Sequence, residues 1–130
     1  MVVSDTLGDA LSHILSYEKI GRKEVVLNKS SKMIIKVLDV LKENNYLGSY
    51  EVIEDGKGKR VKLNLLNNIN KCGVIKPRHK VKRIEFEKFE KRYLPAKGFG
   101  ILIVTTSKGL MTNDSAKEKE VGGKLVAYCY

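Results

Sequence analysis

The sequence has little cysteine and little proline, two of each, and it has no tryptophan. Cys72 and Cys129 form no CxxC pair, and the two histidines, His13 and His79, stand at no metal-ligand spacing. We therefore expect two small buried thiols in a reducing compartment, and neither metal nor cofactor. The chain also lacks the Gly-x-Ser-x-Gly elbow and the Gly-Lys-Ser/Thr phosphate loop, which disfavours the enzymes built on those motifs.

Long apolar runs are missing as well. No stretch approaches the ~18 apolar residues that suggest a membrane span, and the N-terminal segment has no basic-then-apolar signal pattern. These absences predict a soluble protein of the cytoplasm. The hydrophobic content of 42% supports a packed core, and 130 residues suffice for one compact unit or two small lobes.

Negative charge is scarce, above all in the last third of the chain. The formal net charge is +10, and no acidic residue occurs from Lys91 to Asn113. Residues 1–66 hold 11 Lys/Arg against 9 Asp/Glu, a balance of +2, whereas residues 67–130 hold 14 against 6, a balance of +8. Such an excess indicates an anionic partner: nucleic acid, an anionic membrane surface or an acidic protein.

Hydrophobic periodicity predicts a mixed α/β (α+β) fold in two small lobes. Residues 1–66 form the N-terminal α/β lobe, helix-strand-helix-strand-strand, with a hairpin turn at Asp55-Gly56-Lys57-Gly58. The polar run Asn67-Asn68-Ile69-Asn70 marks the boundary, and residues 67–130 form a β-rich lobe with short helices. The predicted helices are 5–19, about 31–43, about 85–92 and about 113–120, and the predicted strands are 24–27, about 47–54, about 59–66, 72–75, 81–84, 100–106, 110–111 and 124–130.

The first functional candidate is a turn rich in hydroxyl groups, here named the hydroxyl turn, which consists of Thr105, Thr106, Ser107, Lys108 and Gly109. An apolar strand delivers these residues to one edge. Hydroxyls and a glycine permit close approach of a ribose-phosphate backbone, and the lysine neutralises charge. A polar hairpin turn with no binding role explains the same residues, and the basic character of the C-terminal half favours the binding interpretation.

A basic segment precedes this turn. Residues 71–83 carry six basic residues, Lys76 among them, and no acidic one. In an extended chain Arg78, Lys80 and Lys82 share one face, which suits a row of phosphates. A solvated loop accounts for the same pattern equally well.

Two further patches combine small or capping residues with a lysine. Gly122-Gly123-Lys124 lets the backbone lie against another surface and adds charge, and a tight helix-to-strand turn is the alternative. Ser31 and Lys32 stand at the start of the second helix, where backbone amides favour phosphate, and ordinary N-capping is the alternative. Four aromatic residues of the C-terminal half could stack on bases: Tyr93, Phe99, Tyr128 and Tyr130. For Phe99, core packing is the preferred role.

Taken together, the C-terminal motifs match one family. Thr105 to Thr112, Ala116 and Gly122 to Tyr128 form a Ser/Thr-rich loop, a Gly-hydrophobic-Met step and a Gly-Gly pair before a final strand ending in an aromatic. On these residues the chain resembles the small-subunit ribosomal protein S8 family over its whole length. The residues similar to the archaeal/eukaryotic branch in particular are Ile69 to Arg78, Leu94-Pro95 and Phe99-Gly100.

The resemblance implies a two-lobed structural protein of the small ribosomal subunit with no catalysis. It would bind the central domain of small-subunit ribosomal RNA early in assembly, contact neighbouring ribosomal proteins, and be monomeric outside the ribosome. Resemblance and basic pattern together give the expected RNA-binding residues: Thr105, Thr106, Ser107, Lys108, Gly109, Gly122, Gly123, Lys124, Ser31, Lys32, Lys76, Arg78 and Arg92.

Two positions depart from the family pattern. Many members, chiefly bacterial, have serine where this chain has Thr105, and the hydroxyl survives that change. Bacterial members usually have glutamate where this chain has Lys124, so attraction to phosphate is expected here in place of hydrogen-bond acceptance.

Three other functions stay open on sequence grounds. A regulatory protein that binds a messenger imitating the ribosomal site would use the same residues. An enzyme acting on an anionic substrate lacks a recognisable nucleophile. A peripheral membrane protein lacks a helix with a basic face and bulky apolar anchors.

Overall fold

The computed structural model describes residues 6–27, 32–54, 56, 59–75, 80–82, 84–96 and 99–130. The helices are α1 (Thr6–Lys19), α2 (Lys32–Glu43), α3 (Phe86–Tyr93) and α4 (Asn113–Glu118). The strands are β1 (Glu24–Leu27), β2 (Leu47–Glu54), β3 (Lys59–Leu65), β4 (Cys72–Val74), β5 (Lys80–Val81), β6 (Ile101–Thr106), β7 (Gly109–Thr112) and β8 (Gly123–Cys129). Helices and antiparallel strands confirm the predicted α+β class. The chain divides into two compact units, Met1–Ile69 and Asn70–Tyr130.

The N-terminal unit has a three-stranded antiparallel sheet in the order β1-β3-β2. Val25 and Leu27 of β1 lie opposite Leu63 and Val61 of β3, so the four buried side chains share one face. Apolar residues of the two helices recur every three or four positions and pack against the strands. Those buried helix residues are Leu7, Ala10, Leu11, Ile14, Ile34, Val37, Leu38, Val40 and Leu41. The bounds of these five elements agree with the prediction to within one residue.

One carboxyl group of the N-terminal unit is buried. Glu18, near the end of α1, is 4% exposed. Burial raises the pKa of this carboxyl above its ordinary value, and the backbone amides of Asn67 and Ile69 offset part of that rise. Because the folded state favours the protonated form of such a group, its ionisation at neutral pH costs stability.

β8 is the central strand of the C-terminal unit. The sheet order is β4-β8-β6-β7, and β5 also pairs with β8, with every pairing antiparallel. Ile101 to Val104 of β6 are all buried, as the apolar run predicts. Cys72 and Cys129 lie opposite each other in the β4–β8 ladder and are 5% and 0% exposed, which confirms the prediction that they are small buried residues. One face of the sheet packs on Phe86 and other core residues of α3 and α4.

The chain changes sharply from β7 to α4. The Thr112 hydroxyl accepts a hydrogen bond from the Ser115 N–H (3.2 Å) and so caps the helix. Asn113, 3% exposed, follows at once: its Oδ1 accepts the Leu102 N–H (3.2 Å), and its Nδ2 donates to Glu90 Oε1 (2.7 Å). A single side chain therefore joins α4 to both β6 and α3.

The prediction of a strand over 81–84 is wrong. The strand is Lys80–Val81, and Ile84 is 82% exposed in a turn before α3. This turn forms because the Glu85 N–H donates to the Lys82 carbonyl (2.8 Å), while Glu85 Oε1 accepts the Lys82 N–H (3.3 Å). Because of this turn, the extended backbone ends before Ile84, and the Ile84 side chain is not part of the strand.

The prediction of a core position for Phe99 is also wrong. Its side chain is 49% exposed, and its ring lies tilted against that of Tyr130 at 6.4 Å between centroids. Gly100 has a φ of 91°, which redirects the chain just before β6 begins at Ile101. The inward-outward alternation of β6 therefore does not extend back to Phe99.

Candidate nucleic-acid interface

The hydroxyl turn joins β6 to β7 as a tight hairpin. Thr106 pairs with Gly109, which leaves Ser107 and Lys108 exposed at the tip. Gly109 has a φ of 110°, a conformation that only glycine adopts readily. Thr106 Oγ1 donates to the Gly109 carbonyl (2.8 Å) and accepts the Lys108 N–H (3.1 Å). Thr106 therefore stabilises the turn from within, whereas Ser107 and Lys108 face solvent.

β8 brings two more predicted residues beside this turn. Lys124 lies opposite Thr105, and Gly123 lies opposite Thr106. A Cβ atom added at Gly123 would stand 2.1 Å from the Thr105 carbonyl oxygen and 3.1 Å from Thr106 Cγ2. Only glycine permits strands β6 and β8 to approach this closely. The requirement for Gly123 is thus explained by the sheet itself, with no ligand invoked.

The two threonines of β6 point to opposite faces. Side chains directly opposite in an antiparallel pair share a face, so Thr105 and Lys124 lie on the same side. Thr106 points to the other side, where its hydroxyl lies 3.9 Å from the sulfur of Met111, a residue of the core. We name the surface formed by Thr105, Lys124, Ser107 and Lys108 the binding face.

The structure brings to this cluster a lysine of the basic segment that is not among the expected RNA-binding residues. β5 pairs with β8 on the side away from β6, and Lys80 lies opposite Lys124. Lys80 is exposed and shares the face of Lys124 and Thr105. The alternation of Arg78, Lys80 and Lys82 in the sequence indicates that these side chains share a face. It does not indicate that Lys80 lies beside Lys124 and Thr105, because that depends on which strands pair.

The remaining predicted residues do not join this cluster. Arg92 is exposed on α3, which packs on the opposite face of the sheet, and its guanidinium lies 5.4 Å from the Phe89 ring centroid. Lys32 is the exposed first residue of α2, in the N-terminal unit. Gly122 is exposed and directly precedes β8. Ser31, Lys76 and Arg78 lie outside the described residues.

Three of the aromatics form a row of rings. The Tyr93 and Tyr128 rings stack at 5.8 Å, and the Tyr128 and Tyr130 rings stack at 6.3 Å. All three are partly buried against the core of the C-terminal unit. They therefore contribute to packing, and their use in base stacking stays a prediction.

The chemistry of the binding face suits an anion. It presents the cations of Lys108 and Lys124, with Lys80 beside them, and the hydroxyls of Thr105 and Ser107. Lysines attract phosphate, and hydroxyls both donate and accept hydrogen bonds. Over the described ranges, no three His, Cys, Asp or Glu residues are grouped so that they could hold a metal ion.

None of the helices in the described part of the chain is long and apolar enough to cross a bilayer.

The family described as ribosomal protein S8 matches residues 5–130, which is nearly the whole chain. It is a family of structural ribosomal proteins and not of enzymes, and its members are components of the ribosome. The match does not distinguish the archaeal/eukaryotic branch, and it does not support the regulatory alternative. The chain therefore belongs to the ribosomal protein S8 family, as a protein of the small ribosomal subunit that binds ribosomal RNA.

Proposed function

We propose that the chain is a primary binder of the central domain of small-subunit ribosomal RNA and aids assembly of the subunit, with the binding face as its main contact surface. The observation that carries the proposal is the arrangement at the end of β6, where Thr105 lies beside Lys124 and the exposed pair Ser107 and Lys108 forms the hairpin tip. Small polar side chains on a rigid hairpin are joined there to positive charge.

Double-stranded RNA has a deep, narrow major groove that side chains do not read and a shallow minor groove lined by 2′-hydroxyls. The short hydroxyl side chains of Thr105 and Ser107 suit such a surface, since they exchange hydrogen bonds at close range. Lys108 and Lys124 add attraction to phosphates, which raises affinity and makes it depend on salt. Selectivity then comes from an irregular RNA segment that the rigid hairpin fits.

The other predicted residues take secondary places in this proposal. Thr106, Gly109 and Gly123 shape the hairpin and the strand approach, as their contacts indicate. Lys32 and Arg92 are exposed cations that add phosphate contacts outside the binding face. The archaeal/eukaryotic branch and a monomeric state outside the ribosome stay predictions, the former supported by the run Ile69 to Arg78.

The test is equilibrium binding to a transcribed central-domain fragment and to an unrelated RNA of equal length, at two salt concentrations. The wild-type protein should prefer the central-domain fragment, and the preference should survive high salt because shape-specific hydrogen bonds persist when phosphate attraction is screened. Ser107→Ala should weaken specific binding roughly two- to twelvefold, the equivalent of one hydrogen bond of about 0.5–1.5 kcal/mol.

Thr106→Val is the matched control, because it removes a hydroxyl that bonds inside the turn. We expect it to lower the melting temperature, whereas Ser107→Ala should leave the melting temperature unchanged. Equal binding of both RNAs by the wild-type protein, or unchanged specific affinity of Ser107→Ala, would contradict the proposed role of the binding face.

A further inference from the structure

Two lysines from strands far apart in sequence stand directly opposite each other on the exposed end of the C-terminal sheet. β5 contains only Lys80 and Val81, and its register with β8 places Lys80 opposite Lys124 and Val81 opposite Gly123. Val81 belongs to the core, so it points to the packed face, and both lysines point to the other face. Both lysines are exposed.

This arrangement is unfavourable for the protein alone. Like charges directly opposite each other on neighbouring strands destabilise a sheet. Among the ion pairs formed by the described residues, none includes Lys80 or Lys124. Lys82, an exposed lysine two residues after Lys80, adds a further positive charge to this part of the chain. A bound anion between the two ammonium groups would convert this repulsion into attraction.

We propose that Lys80 and Lys124 form a phosphate-binding pair, which extends the RNA contact from the hydroxyl turn across β8 to the edge strand β5. The inference rests on the proposed function, because it assigns a further part of the same RNA surface. Thr105, Lys124 and Lys80 form one row across three strands. Since neighbouring strands lie about 4.8 Å apart, the row spans roughly 10 Å at right angles to the strands.

The composition of the row identifies the part of the RNA that it contacts. Lysine binds phosphate as a point charge and reads no base pattern by itself. The small hydroxyl of Thr105 ends the row, and no aromatic side chain lies in it to stack a base. The row therefore contacts the ribose-phosphate backbone of one RNA strand that crosses the sheet, while the tip of the hydroxyl turn supplies selectivity.

Four charge-removing variants test the pair: Lys80→Gln, Lys124→Gln, the double variant, and Lys23→Gln as the matched control. Lys23 is an exposed lysine of the N-terminal unit that precedes β1. Each variant is measured in two ways, by thermal unfolding of the free protein and by binding to the central-domain fragment between 0.1 and 1 M salt.

We expect each single variant of the pair to melt above the Lys23→Gln control, because one substitution already removes the repulsion. The double variant should melt no higher than the better single variant. In RNA binding, each single variant should lower the magnitude of the log-log salt slope by about 0.7–0.9, the value for one phosphate contact. When salt falls from 1 M to 0.1 M, the affinity of each single variant should therefore rise by a factor roughly five- to eightfold smaller than the factor for the wild-type protein.

Melting temperatures and salt slopes of Lys80→Gln and Lys124→Gln equal to those of Lys23→Gln would overturn the pair. That result leaves the proposed function standing if the wild-type protein still prefers the central-domain fragment and Ser107→Ala still weakens it. Loss of that preference in the wild-type protein identifies failure of the proposed function instead. A normal slope for Lys80→Gln with a reduced slope for Lys124→Gln would also overturn the inference, since it confines the contact to β8.

Discussion

Replacing Gly123 with alanine should damage both the stability of the C-terminal unit and its RNA contact. The added Cβ would lie 2.1 Å from the Thr105 carbonyl oxygen, whereas real Cβ atoms essentially never approach a neighbour within 3.0 Å. Strands β6 and β8 must therefore separate by about 0.9 Å at the position that carries the binding face. The obstacle is backbone, which cannot swing aside as a side chain does.

The size of the effect follows from two contributions. Overpacking of a tightly packed site costs about 1–3 kcal/mol, and each ladder hydrogen bond that the separation weakens contributes about 0.5–1.5 kcal/mol. We expect Gly123→Ala to lose about 2–4 kcal/mol of unfolding free energy. For a chain of this length that corresponds to a fall in melting temperature of roughly 6–20 °C.

Differential scanning calorimetry measures the loss, and Gly73→Ala is the matched control in the same sheet. A Cβ at Gly73 would lie 3.1 Å from the Tyr128 hydroxyl oxygen and 3.3 Å from two ring carbons. The side chain of Tyr128 can shift by a few tenths of an ångström, so the control should lose less than about 1 kcal/mol. Equal melting temperatures for Gly123→Ala and the wild-type protein would refute the requirement for close strand approach.

Two further predictions concern buried polar groups. Asn113→Ala should lower the free energy of unfolding in urea by about 2–4 kcal/mol, because the buried Leu102 N–H and the Glu90 carboxylate each lose one hydrogen-bond partner. Asp114→Ala, at the exposed neighbouring residue, is the control and should cost less than about 1 kcal/mol. Equal losses for the two variants would contradict the bridging role of Asn113. The folded-state pKa of Glu18 lies above its unfolded value, so the folded protein holds the proton more tightly and loses stability as pH rises through that pKa. Glu18→Gln removes this ionisation. The melting temperature of the variant minus that of the wild-type protein should therefore increase as pH rises from about 4 to 7. A difference that stays constant over this range would contradict the burial of the charge.

The N-terminal unit was predictable from local pattern. Val61, Leu63 and Leu65 alternate with exposed residues at a period of two, and Ile34, Val37, Leu38 and Leu41 recur at a helical period. In each of these elements, a few residues are enough to predict whether it is a helix or a strand and which face is buried. The sequence therefore sufficed for element bounds in this half.

The C-terminal unit was predictable only in part, because its decisive features depend on long-range register. The sequence identified the hydroxyl turn as a unit, but Thr105 and Thr106 are the same residue type. Only the pairing with β8 shows that Thr105 lies on the binding face and that Thr106 points to the core side. The position of Lys80 opposite Lys124 likewise follows from a pairing across more than forty residues. Periodicity carries no information on which strands pair.

Tertiary contacts also decided the residues at the ends of elements. The bridge from Asn113 to Leu102 and Glu90 joins three elements, and nothing in the local sequence distinguishes this asparagine from an ordinary residue of a helix start. Phe99 was misplaced because the backbone turn at Gly100 interrupts the strand pattern. Both cases show tertiary structure overriding local preference.

The central place of β8 has a consequence for folding during synthesis. This strand pairs with β4, β5 and β6, yet it is translated after all of them. The N-terminal unit, residues up to Ile69, holds its own sheet and can fold while the rest is still being made. The C-terminal sheet cannot close until Gly123–Cys129 have emerged, so a nascent chain should acquire its RNA-binding surface last, in one late step that unites strands remote in sequence.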